Sequence, residues 1–373
     1  MTDAVRARRA DIDAKQAILA RLFGEMECEA VILFMPAHVA WFTGGMITRG
    51  LIADGERPGV YTNGRQRWLV CGNADSHRLF DEELDGLGFM LKEWQWAVGR
   101  AALLGDLVAG KKLASDRPFP GMPLVNERLR PELRPLPPTD RANAVSLGAA
   151  VAHALEATAR ALHPGETEAE VAGQLANRIA RKGAEPLTLS VVADDRGRAF
   201  RRAGFTDAPV RTACHLQVTA LRNGLSLTAG RTVWFGEPEG DWGAAFDAAV
   251  KVAAVYRAGS RPGETVAGPV DNAARLLRDG PFEHEWRLSQ PGFGAGWFAA
   301  DELRKAGIDE KFAGGQPLTW QARVGGAAVV DSVLVSEAGA VSLTPTDGWP
   351  IRRVTIGGTP FDIPDVLKRG AGG

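Results

Sequence analysis

A duplicated segment is the feature that most constrains the fold of this chain. Pro164-Gly165-Glu166-Thr167 recurs as Pro262-Gly263-Glu264-Thr265, and each copy is followed by a helical pattern that ends near a glycine, Gly183 or Gly280. In the first copy, Thr167 and Glu170 have the spacing of a helix capping box. Two copies of one supersecondary unit predict a pseudo-twofold domain, with a cleft where the two halves meet.

Each copy continues into strand-like sequence and ends in a predicted β-hairpin. In the first copy the strand spans 187–193 and the hairpin spans 213–236, turning at Asn223-Gly224, a dipeptide that tolerates positive φ. In the second copy the strand is expected at 286–288 and the hairpin at 318–335. The sequence therefore predicts an α+β domain built from two related halves.

The first hairpin has a polar face. Because alternate side chains of a strand share one face, His215, Gln217 and Thr219 should point the same way, as should Ser226 and Thr228 on the second arm. These side chains include no carboxylate and only one histidine. The face is expected to line the cleft.

The N-terminal part alternates strand and helix patterns, which is typical of an α/β domain. An amphipathic helix is expected over 3–23, a buried strand over 30–35, a turn at 41–45 and a hairpin turn at Asn63-Gly64. Residues 135–138, PLPP, predict a stiff linker. We therefore expect an α/β domain over 1–137 and a second domain over 138–373 that begins with a long helix.

Composition excludes several function classes. The 373 residues carry 44 Lys and Arg against 45 Asp and Glu, so neither nucleic acid nor an anionic membrane is expected as a partner. The charged N-terminus lacks the apolar core of a signal peptide, and the longest apolar run, 30–37, is too short to span a bilayer. Three cysteines without CxxC spacing suit a reducing cytoplasm. Of these, Cys214 is either a nucleophile beside the cleft or, by alternation, a buried side chain on the opposite strand face.

These features resemble the pita-bread superfamily of creatinase, aminopeptidase P, prolidase and the methionine aminopeptidases, over roughly residues 30–350. Residues 30–45 resemble the strand and glycine turn of a creatinase-type N-terminal domain, and the two PGET segments resemble the family's helix entries. Residues 331–339, DSVLVSEAG, resemble the closing strand of the catalytic domain. The resemblance implies a creatinase-like α/β domain, a pita-bread domain with a pseudo-twofold internal repeat, and a homodimer.

Peptidases of this family hold two metal ions with two Asp, one His and two Glu. Matched residue by residue, this chain has other side chains at all five positions: Gln217, Thr228, Phe293, Gln321 and Val330. Amides, hydroxyls and hydrocarbons do not replace carboxylates and imidazole as ligands of such cations. The resemblance therefore predicts a member without a dinuclear metal site, and no cofactor is expected.

The same alignment suggests a substrate site. Arg323 should share a strand face with Gln321 and could pair bidentately with a carboxylate. The candidate substrate-binding residues are Gln217, Thr228, Phe293, Trp297, Gln321, Arg323 and Arg202. Arg201-Arg202 stands where the family has a substrate-side histidine, which acts as an acid/base group in creatinase.

Three residues are candidates for catalysis. His215 is either a general acid/base or a strand histidine bonded within the core. Asp301 and Glu302 follow a glycine-rich segment and are either catalytic carboxylates or a solvated helix start. Two interpretations also remain for Trp286, Trp297 and Trp320: they form a platform for a ligand, or they pack in the core.

Two functional classes remain. The first is a metal-independent, creatinase-like hydrolase or lyase that acts on a C–N or adjacent bond of a small carboxylate-bearing substrate, with specialised metabolism as one setting. The second is a catalytically inactive pseudopeptidase that serves as a small-molecule or protein binding module.

Overall fold

The computed structural model describes residues 2–46, 55, 57–237, 240–288, 290–297 and 310–370. The chain divides into two units, Met1–Asp140 and Arg141–Gly373. Asp301 and Glu302 lie outside the described residues. No helix in the described ranges combines the length and apolar character needed to cross a membrane.

The N-terminal unit is a mixed α/β structure around one five-stranded sheet of order β4-β3-β2-β1-β5. Its strands are β1 Ala30–Leu33, β2 Gly59–Thr62, β3 Arg67–Gly72, β4 Met90–Trp94 and β5 Leu113–Ser115. Its helices are α1 Asp3–Glu25, α2 Pro36–Thr43, α3 Ser76–Arg78, α4 Arg100–Val108 and α5 Asn126–Leu133, with a π-helical turn at Leu79–Glu83. Strand β1 is buried along its whole length, as its unbroken apolar sequence predicts.

Two local predictions in this region are corrected. Residues 41–45 were expected to form a turn, but Trp41, Phe42 and Thr43 complete helix α2, and only Gly44, at φ 65°, ends it. Pro138 was expected in a linker, but it is the first residue of a long helix. Proline is compatible with that position because its missing N–H would have no partner in the first helical turn.

The C-terminal unit contains two four-stranded sheets and a separate hairpin. Its helices are α6 Pro138–Ala161, which begins just before the division, α7 Glu168–Ala180, α8 Arg196–Ala199, α9 Trp242–Gly259 and α10 Ala267–Leu277, with a 3-10 helix at Glu285–Arg287. Its strands are β6 Glu185–Ala193, β7 Ala213–Arg222, β8 Leu225–Phe235, β9 Gly292–Gly294, β10 Pro317–Val324, β11 Ala327–Leu334, β12 Val341–Ser342, β13 Ile351–Ile356, β14 Thr359–Pro364 and β15 Leu367–Arg369.

The predicted internal repeat is present in the two sheets. One sheet has the order β15-β8-β7-β6 and the other has the order β12-β11-β10-β9, so each half contributes an entry strand, β6 or β9, and a hairpin. The first hairpin turns at Asn223 and Gly224, with φ of 51° and 75°. Thr167 and Glu170 form the capping box that begins α7. Residues 286–288, expected as a strand, lie in and just after the 3-10 helix, and β9 takes the corresponding place in the sheet.

The two hairpins meet along β8 and β11, which brings the two polar faces together. The Ser332 hydroxyl accepts a hydrogen bond from the Thr228 amide and donates to the Thr228 carbonyl, both at 2.8 Å. It also shares a 2.9 Å hydrogen bond with the Thr319 hydroxyl. A side chain thus replaces backbone pairing between the two sheets and holds the halves in register.

Candidate ligand-binding site

A cavity of about 670 Å³ opens beside the first sheet of the C-terminal unit. Its walls come from strands β6, β7, β9 and β10, from the segment 201–204 and from Gln290. The described residues that line it are Leu187, Thr188, Leu189, Ser190, Arg201, Arg202, Ala203, Gly204, Gln217, Thr219, Gln290, Phe293, Gln321 and Arg323. These include three arginines but no aspartate or glutamate, so the wall is positively charged.

Arg323 is the central charged group of this wall. Its Nη2 donates to the Gln217 Oε1 atom at 3.0 Å, and its buried Nε has no partner among the described residues. Burial, and then the positive charge of Arg201, lower the pKa of Arg323 to about 10. Asp331 does not neutralise it, since that carboxylate bonds to Ser342 and Thr344.

The other two arginines of the wall already have partners. Arg201 forms an ion pair with Glu285 at 2.8 Å and donates to the Gly325 carbonyl at 2.6 Å. Arg202 donates to the Gln290 side chain. Of the three guanidinium groups, Arg323 is therefore the one that an incoming anion would stabilise most.

A buried carboxylate braces the segment that carries Arg201 and Arg202. Glu168 has no solvent exposure and accepts hydrogen bonds from the Ala193 amide at 2.7 Å and from the Thr206 amide and hydroxyl at 2.8 Å. It also forms an ion pair with Arg196. Glu168 therefore joins the two ends of the segment 193–206, of which residues 201–204 line the cavity.

Glu168→Gln should weaken this brace. The amide keeps the side-chain shape but replaces charge-assisted bonds, each worth about 1.5–3 kcal/mol, with weaker ones. We expect the free energy of unfolding to fall by about 2–3 kcal/mol in urea titrations. Glu170→Gln, which alters an exposed capping-box residue of the same helix, is the control and should lose less. Equal losses in the two variants would contradict the proposed brace.

His215 lies on the same strand face as Gln217 but is not among the residues that line the cavity. It is buried, its Nδ1 lies 2.9 Å from the Thr232 hydroxyl, and its buried Nε2 has no hydrogen-bond partner in the described part of the chain. Burial, and then the charge of Arg323, lower the pKa of His215 to about 3. The ring lies against Gly230, where an added Cβ would come within 2.9 Å of the His215 Cε1 atom. His215 is therefore a neutral imidazole at physiological pH, and its catalytic role remains a prediction.

The structure brings together most of the predicted substrate-binding residues. Gln217, Phe293, Gln321, Arg323 and Arg202 all line the cavity. Thr228 does not line it. Its hydroxyl bonds to that of Thr219 at 2.8 Å, and Thr219 accepts from Thr188 at 2.9 Å. Thr188 and Thr219 of this hydrogen-bonded row line the cavity, and Thr228 lies behind them.

The tryptophans and the cysteine beside the predicted cleft are not on its wall. Trp297 is buried, and Trp320 stacks on Tyr256 with a ring separation of 4.5 Å. Trp286 is exposed on the 3-10 helix. Cys214 is fully buried, and burial raises its pKa, so the thiol stays protonated. The core-packing interpretation therefore holds for Trp320, and Cys214 has neither the access nor the ionisation of a nucleophile.

No protein-family model and no curated protein matches the sequence. Solved structures do match it. The dipeptidase PepE from Mycobacterium ulcerans aligns with a TM-score of 0.75 at 18% identity, over 91% of this chain and 97% of that one. The prolidase from Pyrococcus horikoshii OT3 aligns with a TM-score of 0.76 at 14% identity, over 90% and 99%. The chain has the pita-bread fold.

The matching structures are not all named as peptidases. The N-terminal domain of the FACT complex subunit SPT16 from Cicer arietinum aligns with a TM-score of 0.63 at 10% identity, over 91% of this chain and 97% of that one. At such identities the likeness establishes the fold alone.

The five positions that the pita-bread resemblance assigns to metal ligands do not fit a metal ion. Gln321 lies directly across from Val330 in the β10–β11 pair, and Phe293 lies across from Thr319. The described residues contain no group of three or more His, Cys, Asp or Glu side chains placed to hold a metal. Amide, hydroxyl and hydrocarbon groups lack the charge and donor strength that a dinuclear site needs.

The purified protein should therefore carry no stoichiometric transition metal at these positions. An ion that binds only the native state raises the melting temperature. Because no such site is expected here, added Mn²⁺, Co²⁺ or Zn²⁺ should leave the melting temperature unchanged. Elemental analysis and thermal unfolding with and without each ion measure this. About two metals per chain, lost on changing Gln321, would contradict the assignment.

Three parts of the site were missed by sequence reasoning: residues 187–190, residues 203–204 and Gln290. The stretch 187–190 lines the cavity because β6 is the edge strand of its sheet, and Gln290 lines it beside β9. Strand alternation identifies faces but not sheet edges. The polar Thr188 and Ser190 in a strand-like run were the available signal.

Proposed function

We propose that this protein binds a small carboxylate-bearing substrate in the cavity and acts on a C–N or adjacent bond without a metal ion. The observation that carries the proposal is Arg323, a largely buried guanidinium with a lowered pKa and an unpartnered Nε among the described residues. Such a charge is costly to bury until an anion pairs with it. A planar carboxylate can accept two parallel hydrogen bonds from a guanidinium, which gives orientation as well as affinity.

His215 is the proposed proton acceptor. Its neutral ring keeps an unpartnered Nε2 beside Gln217 on the same strand face. Burial is the larger cause of the low pKa of His215 and the charge of Arg323 is the second, so a bound carboxylate that neutralises Arg323 raises that pKa while burial still holds it below its ordinary value. An imidazole is most effective as a general base when its pKa lies near the working pH. In this proposal substrate binding and activation of the base are therefore linked, and the reacting group reaches past Gln217 to Nε2.

A binding module is the second candidate. The described lining residues include no Asp, Glu, His, Lys or Cys, so the wall itself offers binding groups but no group that titrates near neutral pH. The match to a domain of the FACT complex subunit SPT16 supports the view that this fold also occurs outside peptidases. The two candidates share the carboxylate site and differ only in whether a bond is broken.

The deciding experiment is a turnover screen in the presence of EDTA. N-acyl and N-amidino amino acids are incubated with the protein, and release of the amine is measured. We expect turnover that EDTA does not affect, and a loss of order 10²–10⁴ in kcat for His215→Gln with binding changed only a few-fold. Binding that depends on Arg323, with no turnover of any compound, would support the binding module. Turnover abolished by EDTA would overturn metal independence.

A further inference from the structure

We infer that the cavity selects an amphipathic monocarboxylate, a compound whose carboxylate pairs with Arg323 and whose apolar chain or ring lies against β6. This inference rests on the carboxylate site proposed above and adds the class of the remainder of the ligand. Three observations carry it: the size of the cavity, the uneven distribution of its side chains, and the number of charges left to satisfy.

The cavity is much larger than a carboxylate. A volume of about 670 Å³ corresponds to roughly twenty water molecules, each of which takes up about 30 Å³ in the liquid. A carboxylate held by Arg323 would leave most of this space to water. The larger part of a matching ligand must therefore contact other parts of the wall.

Much of the remaining wall is apolar. Leu187, Leu189, Ala203 and Phe293 line the cavity together with the polar residues around Arg323. Leu187 is 47% exposed on the edge strand β6, where packing within the unit leaves it open to solvent. An apolar group placed there would bury surface that the protein itself leaves in water.

Exposed apolar side chains are concentrated on the segments that border the cavity. Phe200 and Phe205 flank the wall segment 201–204, and Trp286 and Leu288 follow Glu285, whose ion pair with Arg201 ties that stretch to the same wall. Together with Leu187 they are five of the nine large apolar side chains described as exposed in the C-terminal unit. Such clustering marks a binding surface more often than scattered single residues do.

The charge pattern calls for one carboxylate. Arg201 is neutralised by Glu285, and Arg202 is exposed and bonded to Gln290. Of these three, Arg323 is the one whose buried Nε has no hydrogen-bond partner within the described ranges. One anionic group is therefore matched, and the apolar remainder of the wall disfavours a second.

Binding of propanoate, hexanoate, octanoate and neutral hexanamide to the full chain tests this inference by calorimetry or NMR titration. Each methylene buried against the apolar wall should tighten binding about fourfold. Hexanoate should then bind at least about tenfold more tightly than propanoate, allowing for partial burial. Hexanamide should bind far more weakly than hexanoate.

Leu187→Ser should flatten the dependence of carboxylate affinity on chain length. Val341→Ser, which alters an equally exposed apolar residue elsewhere in the unit, is the matched control and should keep the dependence. Carboxylates that bind through Arg323 with no dependence on chain length would overturn the inference but leave the proposed function standing. Absence of any Arg323-dependent binding would overturn the proposed function itself.

Discussion

Replacing Arg323 with methionine should weaken carboxylate binding roughly 30- to 5,000-fold, which corresponds to about 2–5 kcal/mol for loss of a desolvated charge pair. The same change should stabilise the ligand-free protein. In the absence of an anion, the burial that lowers the pKa of Arg323 to about 10 is an unfavourable contribution to folding. We expect a gain of about 1–3 kcal/mol in the free energy of unfolding.

Two measurements on one variant test this prediction. Titration with hexanoate gives the affinity, and urea unfolding without ligand gives the stability. Arg353→Met is a matched control because the Arg353 side chain is 69% exposed and pairs with Asp362 at the surface. A destabilised Arg323→Met protein with unchanged hexanoate affinity would show that Arg323 is a structural residue.

Acidification should destabilise the protein steeply, and His215 should account for much of the slope. The unfolded chain binds a proton on this residue near pH 6.5, whereas the folded state resists protonation until about pH 3. The unfolded state therefore binds more protons throughout this window. The contribution of His215 to stability is constant above pH 6.5. Between pH 6.5 and about pH 3 it lowers the free energy of unfolding by about 1.4 kcal/mol for each pH unit. By pH 4.5 the loss from this one residue is about 2–3 kcal/mol.

His215→Gln removes this titration while keeping a polar side chain at the position. Urea unfolding of wild type and variant at pH 7.5, 6.5, 5.5 and 4.5 gives the difference between their slopes. His284→Gln serves as the control because the side chain of His284 is 72% exposed, and it should follow the wild type. Parallel curves for wild type and His215→Gln would mean that His215 takes up its proton in the folded state without penalty.

The five positions expected for metal ligands carry neutral side chains: Gln217, Thr228, Phe293, Gln321 and Val330. Thr228 bonds to Thr219 and to Ser332, and Val330 is fully buried across from Gln321. The buried hydroxyl of Thr228 is thereby satisfied, as buried hydroxyls generally are. The charge beside these positions is instead the guanidinium of Arg323 at the cavity wall, which pairs with no carboxylate among the described residues. This positive charge is the physical basis for expecting an anionic ligand at a site where the resemblance would place cations.

Several elements followed from local sequence because their causes are local. Asn223-Gly224 places two residues at positive φ and so sets the register of the whole β7–β8 pair. The capping box at Thr167 and Glu170 starts α7 where predicted. Strand alternation placed Gln217 on one arm, and Gln321 and Arg323 on another, all toward one cavity. The repeated PGET segment identified the pseudo-twofold domain, because two similar units bury their apolar faces in similar ways.

What the sequence by itself determined was therefore the set of elements, the repeat and the side chains that share each strand face. Only the tertiary structure decided which part of each face is covered. His215 and Thr228 share faces with cavity residues yet are buried, because Thr232, Gly230 and Ser332 close over them. Leu187 and Thr188 reach the cavity because β6 has no neighbour on its outer edge among the described residues. Burial and pKa depend on contacts between residues far apart in the chain, and a periodic pattern within one strand carries no record of them.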